Sequence, residues 1–78
     1  MAKLIEAVRL LEQGDWEAAH VIAQADSSVN GSWAHGIAHL MEGDRSNAGY
    51  WYRRAGRQLP TDVRIPEEIE ALKGVLTG

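Results

Sequence analysis

Seventy-eight residues and 8.6 kDa allow one domain, residues 1–78, and a chain this short buries only roughly 60–65% of the surface that its unfolded form exposes. The formal charge of −3, eight Lys and Arg against eleven Asp and Glu, argues against nucleic acid as the main partner. The absence of cysteine removes disulfides, thiolate metal sites and a cysteine nucleophile together.

The composition also fits a reducing, cytoplasmic setting. The apolar runs are too short to span a membrane, and no basic start followed by an apolar stretch suggests a signal peptide. Alanine is abundant, Phe is absent, and three Trp carry much of the bulk. Alanine favours helices and lets them approach closely. No β-branched run alternates with period two, so the expected fold is all-α.

In chain order, Leu4, Ile5, Val8 and Leu11 form one apolar stripe and predict a helix over residues 2–13. Gly14 suits a left-handed position just past its end, and Asp15 offers an N-cap oxygen to the next helix. That helix is expected from Asp15 to about Ala25, with Trp16, Ala19 and Ala23 on one face. The Gly-Asp junction turns it back on the first as an antiparallel hairpin. Asp26 to Gly31 reads as a loop, Ser32 as the N-cap of a third helix ending near Met41, and Asn30-Gly31-Ser32 as a turn. Glu42-Gly43-Asp44 repeats the Gly-Asp device, and a fourth helix is expected from Asp44 to about Arg57. Leu59 to Asp62 breaks it. Pro66 then opens a last helix, with Glu67, Glu68 and Glu70 at its positive end, Lys73 near its negative end, and Ile69, Leu72 and Leu76 as its stripe.

The two Gly-Asp turns lie in matching contexts, each followed four residues later by an alanine, Ala19 and Ala48. This points to two helical hairpins in tandem plus a C-terminal helix, about five helices in all. Gly36, Gly43-Asp44, Ala48, Tyr52, Ala55 and Pro60 resemble the small and aromatic positions of a tetratricopeptide repeat. Trp33 is one residue out of that pattern, and His35 and His39 stand where the repeat has Leu and Tyr. The resemblance implies that Trp33, Ile37, Leu40 and Met41 lie on a concave, partner-binding side. The stretch from His35 through Glu42-Gly43-Asp44 to Tyr50-Trp51-Tyr52-Arg53-Arg54 is also similar to a group of short uncharacterised microbial proteins, and implies no activity.

The most reactive constellation is histidine-based. His35 and His39 sit one helical turn apart with Glu42 on the same side, a spacing that lets two imidazoles chelate a divalent metal. His20 would join them if the hairpins pack face to face. The competing expectation is structural: both histidines buried near Asn47, Trp51 and Tyr52, with Tyr hydroxyls, Asn47 and Glu42 supplying their hydrogen bonds. Arg53, Arg54 and Arg57 are expected to favour the negative end of their helix and to pair with Glu42, Asp44 or Asp62. The loop residues Ser27, Ser28, Ser32 and Thr61 have no adjacent glycine elbow, so no serine triad is drawn.

The expected function is therefore a small, non-enzymatic interaction module without a cofactor. It would self-associate or bind a protein through Trp33, Ile37, Leu40 and Met41. The alternative is a small-ligand or metal site built from His20, His35, His39, Glu42 and Asn47, with Arg53 and Arg54 supplying charge.

Overall fold

A computed structural model describes residues 3–78, and all regular structure in them is helical. The five helices are α1 (Lys3–Glu12), α2 (Trp16–Gln24), α3 (Val29–Glu42), α4 (Arg45–Arg54) and α5 (Ile65–Thr77). Residue 2, included in the expected first helix, lies outside the described residues. No described helix is long and apolar enough to cross a membrane.

Both Gly-Asp turns form as their sequence dictates. Gly14 and Gly43 have φ of +85° and +92°, where a side chain would be strained. The aspartates then cap the following helices: Asp15 Oδ1 accepts from Ala18 N at 3.2 Å and Asp44 Oδ1 from Asn47 N at 3.1 Å. The result is two hairpins, α1/α2 and α3/α4. The central element is α3, which packs against all four other helices.

Two boundaries differ from expectation. The third helix starts at Val29 rather than after Ser32. Asp26 Oδ1 accepts from Ser28 N at 2.9 Å, and Ser28 Oγ accepts from Gly31 N at 3.0 Å, so Ser28 caps the helix and Asn30-Gly31-Ser32 becomes its first turn. Ser32 is buried. At the other end, α4 stops at Arg54 because Gly56 takes φ +72° and unwinds the backbone before Arg57. As expected, Pro66 lies in the first turn of the last helix, which begins at Ile65 and has no side-chain cap.

The core gathers Leu4, Val8 and Leu11 from α1, Trp33 and Ile37 from α3, Tyr52 from α4 and Leu72 from α5. Here the expected interaction face needs correction. Trp33 and Ile37 are 1% and 0% exposed, because α5 and α1 cover the side of α3 on which they lie. Leu40 and Met41 are half-buried against the same core, and only Met41 reaches an open groove of about 290 Å³, shared with Ile65, Pro66 and Ile69.

A carboxylate fastens α5 in place. Glu68 Oε1 accepts from Tyr52 OH at 2.6 Å and from Trp33 Nε1 at 3.2 Å. The Arg57 guanidinium lies 3.6 Å from the centre of the Trp33 ring, a cation–π contact. Burial and then the Glu68 carboxylate push the Tyr52 hydroxyl above its ordinary pKa. At the far side, Lys73 Nζ donates to Glu12 at 3.2 Å.

The α3/α4 hairpin closes on a bare backbone. A Cβ at Gly36 would stand 2.6 Å from Tyr52 Cδ1 and 3.3 Å from the Ala48 carbonyl oxygen. Only glycine admits the Tyr52 ring so close to α3. Gly36→Ala is therefore expected to destabilise the fold by about 1–3 kcal/mol through overpacking. Gly74→Ala, in the middle of α5 with nothing within 4 Å, should stabilise it by roughly 0.5–1 kcal/mol. Urea denaturation of both variants checks the pair, and equal effects would contradict the close approach at Gly36.

Candidate metal centre

The three histidines meet on the side of α3 away from α5. Helix α2 carries His20, and α3 carries His35 and His39 one turn apart. The centre of the His20 ring lies 4.4 Å from that of His35, with the rings edge-on, and 5.1 Å from that of His39. His35 and His39 are 5.0 Å apart with their planes 24° from parallel. One ring nitrogen from each of the three lies within 4.8 Å of the other two.

The placement follows from packing. Tyr52 points into the core against Gly36, which turns Trp51 toward the other flank of α3. There the indole stacks on His35, ring centres 3.8 Å apart and planes 13° from parallel. On the opposite flank α2 packs along α3, with Ala19 and Ala23 buried. Those small residues let the helices approach and bring His20 over His35.

Burial differs across the cluster. His35 is 5% exposed, the His39 side chain is 12% exposed, and His20 is half-buried. Burial first, and then the neighbouring His20 and His39, lower the His35 pKa from 6.5 to about 4. His20 is lowered too, again by burial first and then by His39, with Glu42 opposing. Both imidazoles are therefore neutral at pH 7, with a lone pair on one nitrogen each.

The hydrogen bonds depart from the structural expectation for His35. Tyr52 OH donates to Glu68 at 2.6 Å and Asn47 Nδ2 donates to Asp44 Oδ2 at 3.3 Å. Glu42 Oε2 pairs with His39 Nδ1 at 2.8 Å. Each of these expected partners of His35 is thus engaged elsewhere, while among the described residues no buried side-chain nitrogen or oxygen is left without a hydrogen-bond partner. His39 has Glu42, as expected.

Asn47 and the arginines stand apart from the histidines. Asn47 serves Asp44, whose carboxyl is held below the usual range by the Asn47 backbone N–H and side-chain amide. The Arg54 guanidinium lies 5.4 Å from the Trp51 ring centre and 5.9 Å from that of Tyr50, and reaches the cluster only through Trp51. Arg53 is exposed. None of Arg53, Arg54 and Arg57 forms an ion pair with Glu42, Asp44 or Asp62 among the described residues. Arg54 and Arg57 lie over aromatic rings instead.

Three convergent imidazole nitrogens in this arrangement suit a borderline transition ion. Zinc binds imidazole at about 2.0–2.1 Å, so three ligands around one tetrahedral ion stand about 3.3–3.4 Å apart. The observed limit of 4.8 Å is closed by about an ångström of ring movement. The Glu42 carboxylate on His39 Nδ1 leaves Nε2 as the nitrogen with the lone pair, the usual arrangement of a metal-binding histidine and its supporting carboxylate. Glu42, expected as a ligand, is bonded to His39 Nδ1 and groups with His39 and Asp44 rather than with His20 and His35. The sequence missed the role of Asp44 as a second carboxylate within 4.8 Å of the His39 and Glu42 donors, because its N-cap position accounted for it fully.

The lowered His35 pKa carries a stability consequence. Unfolded, His35 titrates near 6.5; folded, near 4. The unfolded chain therefore binds the proton first. Stability is full above about pH 6.5 and falls as pH drops toward 4, by up to about 3 kcal/mol for this group. His20 and His39 add to the loss by repelling a charged His35, while the nearest carboxylate, Glu42, faces His39. In chelator-treated protein, chemical denaturation at pH 7.5, 6 and 5 should show this decline, and His35→Gln should flatten it; a decline unchanged in that variant would assign it to other groups.

No family model, curated protein or solved structure matches the chain, so the likeness to tetratricopeptide hairpins rests on the sequence offsets alone.

Proposed function

We propose that the protein is a small helical metal-binding domain that holds one divalent transition ion with His20, His35 and His39. The observation that carries this reading is the convergence of three ring nitrogens, from His20, His35 and His39, within 4.8 Å. Nitrogen donors without thiolates suit zinc, cobalt, nickel or copper better than magnesium or calcium. The ion would join α2 to α3 and so stabilise the second hairpin against the first.

The self-associating module expected from the sequence has less to stand on. Its surface relied on Trp33 and Ile37, both enclosed by this chain's own helices. A small chain without cysteine fits a reducing compartment such as the cytoplasm.

Calorimetric titration of chelator-treated protein with zinc chloride is expected to give one ion per chain. Thermal unfolding at free zinc 100 times the dissociation constant should reflect about 2.7 kcal/mol of added stability. His20→Gln and His39→Gln should each abolish stoichiometric binding while leaving the far-ultraviolet helical signal in place. Helical wild-type protein that gives neither binding heat nor a thermal shift with zinc or cobalt would refute the site.

A further inference from the structure

We infer that the ion held by His20, His35 and His39 keeps an open coordination position, filled by water or a small monodentate anion rather than by a fourth side chain. The inference rests on the metal-binding reading above and concerns what that site presents to solvent.

A tetrahedral ion needs four donors, and structural zinc sites take all four from the protein. Here the chain supplies three. The remaining carboxylates near the cluster, Glu42 and Asp44, group with His39 but not with His20 or His35. Glu42 Oε2 is bonded to His39 Nδ1 at 2.8 Å. The two oxygens of Asp44 accept from Asn47 N at 3.1 Å and from Asn47 Nδ2 at 3.3 Å. The Tyr52 hydroxyl belongs to Glu68. Trp51, which covers His35, offers an N–H and no lone pair.

Charge points the same way. Three neutral imidazoles leave both positive charges of the ion uncompensated, and the carboxylate nearest to it stands behind His39. A small anion at the open position would neutralise part of that charge. Solvent reaches the cluster on the side of His39 and Glu42, whose side chains are 12% and 27% exposed, so the open position is accessible to a diffusing ligand. Glu42 then acts as a positioning residue: its carboxylate holds the His39 proton on Nδ1 and aims Nε2 at the ion.

Cobalt-loaded full-length protein tests this by its visible absorption. Cobalt bands should appear at one equivalent and shift saturably on addition of azide or acetate. Glu42→Gln should keep the cobalt spectrum and the azide response while lowering metal affinity about 10- to 100-fold, the usual effect of losing a supporting carboxylate. Asp44→Asn, which retains an N-capping side chain, should change neither. Cobalt bands that azide and acetate leave unmoved would overturn the open position, as would a spectrum in either variant that reports the loss of a ligand. Absence of cobalt binding in the folded wild type would instead overturn the metal reading, and this inference with it.

Discussion

The approach of Tyr52 to the bare backbone of Gly36 determines most of what surrounds it. The ring can enter the core only because α3 has no side chain at that point. Once seated, its hydroxyl reaches Glu68 and anchors α5. Its neighbour Trp51, about 100° further round α4, is thereby aimed at the other flank of α3 and stacks on His35. One missing Cβ thus sets the hairpin angle, the docking of the last helix and one wall of the histidine cluster.

The same geometry explains why the hydrogen-bond partners expected for His35 serve other groups. Tyr52 was available to His35 by sequence position, but the core claims its ring and Glu68 claims its hydroxyl. Asn47 was equally available, but the open end of α4 needs Asp44 as a cap, and Asp44 in turn holds Asn47. The backbone and the core take the polar groups first. His20 and His35 are left facing one another, ring centres 4.4 Å apart, rather than bonded to Tyr52 or Asn47.

Much of the fold was legible in the sequence. Local signals dictated the helices and the two reversals: apolar stripes, glycines where a left-handed residue is needed, and aspartates one position later. The spacing of His35 and His39 also follows from one helix alone. What depended on distance in the chain was harder to read. Glu68 looked like an acid serving the positive end of α5, and nothing local indicated that residues 16 and 35 positions away would bond to it. The start of α3 was misplaced because Ser28 and Ser32 are equivalent as capping residues, and only the Asp26 contact to Ser28 decides between them. The apolar run on α3 was read as open surface because the helix that covers it comes after a proline-containing break.

The way α5 is attached has a kinetic side. Contacts among the first four helices join mainly neighbours along the chain, with α1 also meeting α3, whereas α5 returns to α1 and α3 from the far end of the sequence. Its ties are a shared carboxylate, one exposed ion pair with Glu12 and a modest apolar stripe. Segments held in this way open as units at a free energy below that of global unfolding. Detachment of α5 would bare Trp33 and Ile37 to solvent while α2, α3 and α4 still hold the histidines together. In amide hydrogen exchange the helix that seals the core would thus form a separate cooperative unit, opening and closing above an intact three-imidazole centre.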